Sequence, residues 1–268
     1  LVDAKVHGVI GHLNSGTTIP ASKIYSDAGI PQISPSATNP KYTRQGYATA
    51  FRVVADDVHL GGTLGKYAVT ELKGKSIAVI DDRTAYGQGV ADEFEKGVTA
   101  AGGTVVGREF TNDKATDFTG ILTSLKAKKP DVVFFGGMDA ELPKLAAGAM
   151  RDGQVVCAEA GGVDEGGKPA MDKFKADFKA KFNADVQIYA PYVYDAVMTM
   201  VAAMQKADSA DPAKYLPELK NITHQGVTGT IAFDEKGDIK NGALTLYTYK
   251  GGKKEALGIV RCSRRTAP

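Results

Sequence analysis

The sequence predicts an α/β fold of two lobes, each built on a parallel β-sheet with helices on both faces. Short apolar runs alternate along the chain with polar loops and with helical stretches of about ten to fifteen residues, the pattern of right-handed βαβ units. Several runs are apolar at every position, as strands covered by helices on both sides require. The 268 residues come to just under two domains at about 150 residues each.

The first strand–helix units lie at the start of the chain. Strands are predicted over residues 5–11, 30–33 and 51–54, because each is a short run rich in apolar residues, and the first two end in polar loops. A helical stretch through residues 21–25 separates the first two strands and ends near Gly29.

A second series repeats this order. Strands are predicted over residues 76–80, 104–106 and 131–135, with helices over 87–101 and 117–128 between them. Two glycines follow the first of these helices, and glycine commonly ends a helix.

The pattern changes after residue 161. An amphipathic helix is predicted by four large apolar residues spaced by three, four and four positions: Met171, Phe174, Phe178 and Phe182. A second helix covers residues 192–206. Residues 228–249 are predicted as strands joined at an acidic turn, 234–238, which lacks the ligand spacing of a calcium loop.

Composition and charge exclude several classes of protein. Lys and Arg number 33 against 31 Asp and Glu, so the net charge of +2 argues against a nucleic-acid binder. No apolar run approaches the length of about eighteen residues that a transmembrane helix needs. The two cysteines, Cys157 and Cys262, permit one bridge or two thiols, but neither a metal cluster nor a disulfide scaffold.

Enzyme signatures are incomplete. Residues 61–67 resemble a phosphate loop but are one residue short, and Tyr67 replaces the Ser or Thr that would hold magnesium. Residues 87–92 resemble a dinucleotide fingerprint, but Asp92 replaces its third glycine. The four histidines show no metal-ligand spacing. We therefore expect no catalytic activity, no cofactor and no metal.

Two hydroxyl-rich loops follow neighbouring predicted strands at the sheet edge where α/β proteins bind ligands. Residues 13–18 join a strand to a helix, so their N–H groups, hydroxyls and helix dipole would suit a carboxylate. Ser15 or Thr17 as a simple helix cap is the alternative for this loop. Residues 36–38 form the second loop, and the two together favour one anion site.

Two residues at strand ends in the second series would suit an ammonium group. Tyr86 follows the strand over 76–80, and Asp139 follows the strand over 131–135. An aromatic ring and a carboxylate would complement the ammonium of a small apolar ligand. A solvated surface loop is the alternative.

Six segments of the sequence, in the same order, resemble the branched-chain amino-acid-binding proteins, the periplasmic solute receptors of ABC transporters. These segments are residues 8–16, 33–40, 81–89, 135–140, 188–192 and 233–238. The resemblance covers nearly the whole chain. It implies two Rossmann-like lobes that close around one amino acid, the type I periplasmic-binding fold, and no enzymatic activity.

The resemblance also implies the lobe limits and the ligand residues. Residues 1–56 and 160–238 would form lobe 1, and residues 57–159 and 239–268 lobe 2, with hinge crossings near 55–57, 158–161 and 234–242. The ligand residues implied in lobe 1 are Leu13, Asn14, Ser15, Ser36, Ala37, Thr38 and Tyr189. Those implied in lobe 2 are Tyr86, Met138 and Asp139.

The implied function is capture of a hydrophobic L-amino acid, aliphatic or aromatic, for delivery to an ABC permease. An exported, periplasmic monomer that binds no nucleic acid is expected. Alternatives are a ligand-sensing regulatory module on the same fold, an enzyme using Asp139 or Asp81, and a truncated form unable to bind ligand.

Two departures from the family pattern motivate the last alternative. Family members have a first βαβ unit ahead of the segment that here begins at Leu1. They also carry, where Ala140 meets Glu141, a segment with an acid for the ligand ammonium and with the disulfide partner of the cysteine matching Cys157. We therefore expect incompleteness at both places, and Asp139 as the remaining acid.

Overall fold

The computed structural model describes residues 1–137, 156–163, 167–250 and 253–261. The chain forms two compact units. Unit 1 comprises the described residues within 1–55, 160–245 and 259–268, and unit 2 those within 56–159 and 246–258.

The first sheet of unit 1 has three parallel strands in the order β1-β2-β3. They are β1 (Val9–Ile10), β2 (Gln32–Ser34) and β3 (Ala50–Arg52). Helix α1 (Ser15–Asp27) connects β1 to β2, and a short 3₁₀ turn (Pro40–Tyr42) precedes β3. The parallel arrangement is as predicted.

The first strand is shorter than the sequence predicts. The apolar run over 5–11 yields only two strand residues, because a turn over 2–5 that includes Lys5 at φ 51° and a bend at residue 7 precede Val9, and Gly11 has φ 143°. Neither value belongs to extended backbone, so the strand begins after the first residue and ends before the second.

The remaining helices of unit 1 are α5 (Lys168–Phe182), α6 (Ala190–Lys206) and α7 (Pro212–Lys220). An antiparallel pair, β8 (Thr223–Gln225) and β9 (Thr230–Ala232), follows them. The unit 1 core combines strand residues with one face of α6 and with α7: Ile33, Phe51, Val53, Tyr192, Ala196, Met200, Ala203, Tyr215, Leu219 and Phe233.

The predicted stripe on α5 packs against α6 at one point. Phe174 lies 5.2 Å from Tyr194, measured between ring centroids, and 6.1 Å from Phe178. Met171 is buried, whereas Phe182 at the end of the helix is 58% exposed. The stripe therefore buries its first residue, half-buries the next two and leaves its last one largely in solvent.

The sheet of unit 2 has the order β5-β4-β6, all parallel. The strands are β4 (Ser76–Asp81), β5 (Thr104–Phe110) and β6 (Val132–Gly136), and the helices are α2 (Asp57–Thr70), α3 (Ala85–Ala100) and α4 (Thr119–Ala127). Central strand β4 is buried on both faces. Ile77 and Val79 pack in the cluster that contains residues of α2 and α3, and Ala78 and Ile80 in the cluster with α4. The apolar run thus has the two-sided burial that the sequence predicts.

The glycine-rich stretch over 61–67 lies inside α2 rather than in a loop. A methyl group on Gly61 or Gly65 would overlap the backbone carbonyl oxygens of Val90 and Phe94 on α3. These glycines therefore let two helix backbones approach closely, which is a packing role and not the geometry of a phosphate loop.

The chain passes between the units after residues 55, 159, 245 and 258. The last three passages lie within the strands of a third sheet, with the order β11-β10-β7: β7 (Val156–Ala160), β10 (Ala243–Lys250) and β11 (Lys253–Arg261). The predicted lobe 2 includes all of 239–268, whereas unit 1 contains 239–245 and the described residues within 259–268. Within unit 1, Gly161 N donates to Ala243 O at 2.8 Å.

In the part of the chain that the structure describes, no helix is long and apolar enough to cross a membrane.

Candidate functional site

The loops that follow β1 and β2 are hydrogen-bonded to each other in unit 1. Ser36 Oγ donates to Leu13 O at 2.7 Å, and Ser34 Oγ donates to His12 O at 2.9 Å. The backbone N–H of Asn39 donates to Ser15 Oγ at 3.2 Å. The structure therefore brings together the two loops that the sequence predicts to share one site.

Ser34, which the sequence analysis did not single out, shapes the second loop. Its Oγ accepts from Ala37 N at 2.9 Å as well as donating to the first loop. Serine side chains often form a turn by hydrogen bonding to the backbone a few residues further along the chain. The position of Ser34 directly before Pro35 could therefore have indicated this role.

Thr38 has a buried hydroxyl without a partner. The residue is 3% exposed, and Oγ1 makes no hydrogen bond to any described residue. Leaving a buried polar group unsatisfied costs about 1–3 kcal/mol. Ser15 and Ala37 beside it are also buried. A hydrogen-bond partner brought to the Thr38 hydroxyl would remove that cost.

Helix α1 begins at this site without a side-chain cap. Asn14 is its N-cap residue, and the Asn14 side chain makes no capping hydrogen bond. Ser15 Oγ accepts from Asn39, and Thr17 Oγ1 donates to Asn14 O at 2.9 Å. Neither hydroxyl caps the helix in the described hydrogen bonds, and no acidic residue lies in its first turn. The partial positive charge of the helix N-terminus is therefore not offset by a side chain of that turn.

Arg52 supports the second loop from β3, and the sequence analysis missed it. The residue is fully buried, with Nη1 donating to Ala37 O at 2.7 Å and Nη2 donating to Asn39 O at 3.0 Å. Its Nε donates to Asp238 Oδ1 at 2.6 Å. The sequence offered one indication of this role, a charged residue inside an apolar run. A buried arginine needs a carboxylate and carbonyl groups as hydrogen-bond partners.

The other predicted ligand residues make no described hydrogen bond to these two loops. Tyr189 directly precedes α6 and packs, half-buried, against the unit 1 core. Tyr86 is half-buried in the first turn of α3 in unit 2. Met138 and Asp139, as well as the junction of Ala140 and Glu141, lie outside the described residues.

The turn ahead of Tyr86 is organised by a buried carboxylate. Asp82 Oδ1 accepts from Thr84 N at 2.9 Å and from Thr84 Oγ1 at 2.6 Å, and Thr84 Oγ1 in turn accepts from Gly87 N at 2.9 Å. Asp82 is 1% exposed, and its Oδ2 has no hydrogen-bond partner in the described part of the chain. The sequence analysis did not single out Asp82 or Thr84.

Asp81, the acid of the enzyme alternative, is held in an ion-pair network. Its Oδ2 accepts from Arg108 Nη2 at 2.8 Å, and Arg108 Nη1 also donates to Asp92 Oδ1 at 2.6 Å. Glu95 lies 3.5 Å from Arg108 Nη1. Burial raises the pKa of the Glu95 carboxyl above its ordinary value, and Arg108 opposes this only in part. Asp81 is thus a structural ion-pair partner.

Within the described ranges, no group of three or more His, Cys, Asp or Glu side chains is placed to hold a metal ion. Cys157 is half-buried and forms no disulfide with a described residue, and Cys262 lies outside the described residues.

Comparison with known proteins identifies the family. The family model described as "Periplasmic binding protein" matches residues 1–153 and 136–254. The chain belongs to this family. The periplasmic binding protein family consists of solute-binding receptors rather than enzymes, so this chain is a receptor of the type that serves ABC transport systems.

Two relatives of this periplasmic binding protein are named for the amino acids that they bind. A leucine-, isoleucine-, valine-, threonine- and alanine-binding protein of Pseudomonas aeruginosa is 34% identical over 272 residues, which span 93% of this chain and 73% of the relative. A Leu/Ile/Val-binding protein homolog 1 of Brucella abortus is 35% identical over 267 residues, 91% of this chain and 72% of the relative.

Solved structures confirm the type I periplasmic-binding fold. A leucine-binding protein of Thermotoga maritima matches with a TM-score of 0.84 at 23% identity, covering 96% of this chain and 80% of its own. A substrate-binding protein of Desulfitobacterium hafniense in complex with Leu matches with a TM-score of 0.80 at 26% identity, covering 96% and 82%.

Proposed function

We propose that this receptor captures a hydrophobic L-amino acid outside the cytoplasm and delivers it to an ABC permease. The observation that carries the proposal is the buried, unpartnered hydroxyl of Thr38 next to the uncapped N-terminus of α1. Relatives named for leucine, isoleucine and valine support the choice of ligand class.

The ligand carboxylate would bind to donors of unit 1. Ser15 Oγ already accepts from Asn39 N, so its own hydrogen is left to donate to the ligand. Thr38 Oγ1 can donate in the same way. The N-terminus of α1 adds a favourable dipole for the negative charge.

The ligand ammonium requires acceptors, because burying a zwitterion is costly unless both charges are paired. Ser36 Oγ donates its hydrogen to Leu13 O and so offers only acceptor lone pairs to a ligand. Asp139 remains the predicted acid for this group. Tyr86, Met138 and Tyr189 remain predicted contacts.

Isothermal titration of the protein against the twenty L-amino acids tests the proposal. We expect binding of one or more hydrophobic amino acids with one-to-one stoichiometry, and loss of most of that affinity in Thr38→Val. Thr17→Val is the matched control, because Thr17 lies at the same end of α1 and its exposed hydroxyl donates only to Asn14 O among the described bonds. Absence of binding by the unmodified protein, or equal affinity of Thr38→Val, would contradict the proposal.

Delivery and location need their own measurement. We propose that the loaded monomer stimulates the ATPase activity of its permease in proteoliposomes, and that only protein added on the extracytoplasmic side does so. Equal stimulation by amino acid without the receptor would contradict delivery. Light scattering would show a dimer if the proposed monomeric state were incorrect.

A further inference from the structure

We infer that Arg52 and Asp238 are positioning residues for the ligand: together they hold the backbone on both sides of Thr38. Neither side chain is proposed to touch the ligand. The inference rests on the proposed function for its effect on affinity, but its structural part can be tested without any ligand.

Arg52 holds the carbonyl groups that flank Thr38. Nη1 donates to the carbonyl oxygen of Ala37, one residue before Thr38, at 2.7 Å, and Nη2 donates to that of Asn39, one residue after it, at 3.0 Å. A guanidinium is planar and presents its donors in a fixed fork. One rigid group therefore sets the direction of the loop around the unpartnered hydroxyl.

Asp238 holds Arg52 in turn. Its Oδ1 accepts from Arg52 Nε at 2.6 Å and from Thr43 Oγ1 at 2.7 Å, while Thr43 Oγ1 accepts from Arg52 Nη2 at 2.8 Å. Arg52 is fully buried and the Asp238 side chain is 14% exposed. A buried guanidinium without this carboxylate would be strongly disfavoured, so Asp238 stabilises the arginine in its place.

The turn that carries Asp238 is itself joined to β3. Arg52 N donates to Gly237 O at 3.0 Å, and Asp234 N donates to Asp238 O at 2.8 Å. Asp234 Oδ1 also accepts from Asp238 N at 3.0 Å. The hydrogen bonds of the turn over 234–238 thus fix the position of the Asp238 carboxylate. They give Asp234 and Asp238 a structural role that needs no metal ion.

A lysine cannot replace this arginine. Lysine carries one compact ammonium group on a flexible stem, and it cannot reach Ala37 O, Asn39 O and Asp238 Oδ1 in the same fixed geometry. Arg52→Lys keeps the charge and removes the fork, so it separates positioning from simple charge neutralisation. Asp238→Asn removes the charge and keeps the shape.

Asp195→Asn is a matched control in the same unit. Asp195 is fully buried on α6, and its carboxylate accepts from Val227 N and Thr228 N at 2.8 Å each. It makes no described hydrogen bond to the loops after β1 and β2. This variant therefore loses a buried, hydrogen-bonded charge and some stability without disturbing the proposed site.

The first measurement is amide hydrogen exchange, read by NMR in the ligand-free proteins. The amides of Ala37 and Asn39 donate to Ser34 Oγ and Ser15 Oγ, so their exchange reports on the loop that Arg52 holds through its carbonyl groups. We expect Arg52→Lys and Asp238→Asn to speed exchange at these two amides by about tenfold or more, because the loop loses at least one charge-assisted hydrogen bond. Asp195→Asn should leave these two amides unchanged and speed exchange at Val227 and Thr228. Unchanged protection of Ala37 and Asn39 in folded Arg52→Lys would overturn the inference.

The second measurement is amino-acid affinity by titration, at a temperature where every variant is folded. Arg52→Lys and Asp238→Asn should bind about tenfold or more weakly, whereas Asp195→Asn should bind within about twofold of the unmodified protein. Equal losses of affinity in all three variants would show that Arg52 only stabilises the fold, and would overturn the inference. If the unmodified protein bound none of the amino acids, the proposed function would fail, while the exchange data would still decide the role of Arg52.

Thr43→Val keeps the inference testable if Arg52→Lys does not fold. It removes the hydroxyl that bridges Arg52 Nη2 and Asp238 Oδ1 but leaves both charges in place. We expect faster exchange at the same two amides by a smaller factor, and unchanged exchange there would count against the inference.

Discussion

Ser36 donates its hydroxyl hydrogen to the carbonyl oxygen of Leu13 across 2.7 Å, joining loops that lie 23 positions apart in the sequence. The bond ties the loop after β2 to the loop that leads into α1. It also leaves the Ser36 oxygen with acceptor capacity only, which determines the kind of ligand group it can bind.

Ser36→Ala should therefore weaken amino-acid binding by more than its effect on stability explains. Losing one buried hydrogen bond costs about 1 kcal/mol of unfolding free energy. Ser22→Ala is the control, because the buried Ser22 hydroxyl of α1 likewise donates to a carbonyl oxygen, that of Ile19, at 2.7 Å, and in addition accepts from Gln45 Nε2 at 3.0 Å. We expect similar losses of stability by thermal denaturation but a loss of affinity by titration in Ser36→Ala alone. Equal affinities in the two variants would contradict this role for Ser36.

The elements of the fold were predictable where a local pattern carries the information. The run over 76–80 is apolar at nearly every position, and β4 is buried on both faces as that pattern implies. The hydroxyl-rich loops over 13–18 and 36–38 follow their strands in the sequence, and they meet in the structure because the strands are parallel neighbours.

The support of the site was not predictable in the same way. Arg52 and Asp238 are separated by 186 positions, and no local pattern records a partnership over that distance. The acidic turn over 234–238 could be predicted as a turn, but its role depends on β3 lying against it. The ends of the first strand were predicted wrongly for a related reason. The positive φ angles of Lys5 and Gly11 leave no trace in the pattern of apolar residues.

Gly65→Ala should destabilise the protein, and Gly62→Ala should not. A methyl group at Gly65 would overlap the carbonyl oxygen of Phe94 on α3, whereas nothing lies within 4 Å of the corresponding position at Gly62. Overpacking costs about 1–3 kcal/mol, and replacing an unhindered helical glycine gains up to about 1 kcal/mol. Chemical denaturation of the two variants checks this. A stabilised Gly65→Ala would contradict the close approach of α2 and α3.

Glu95→Gln should change stability in a pH-dependent way. Burial raises the pKa of Glu95 in the folded protein, so folding favours the protonated carboxyl. The contribution of Glu95 to stability is therefore fully present below its unfolded pKa and is lost as the pH rises through the folded one. Glutamine stays neutral, so the variant should gain melting temperature relative to the unmodified protein at pH 8 but not at pH 4. A gain confined to pH 4 would reverse the sign and contradict the prediction.

Thr84→Ala tests whether the turn ahead of α3 serves binding as well as folding. The Thr84 hydroxyl caps the helix by accepting from Gly87 N and donates to the buried Asp82 carboxylate, so its removal should cost about 1 kcal/mol of stability. Tyr86 lies in the first helical turn beyond this cap, and if it contacts the amino acid as predicted, the same change should weaken binding. Thr84→Ser keeps the hydroxyl and should restore both stability and affinity. A Thr84→Ala protein with a lowered melting temperature and unchanged affinity would restrict this turn to folding and would remove the support for Tyr86 as a ligand residue.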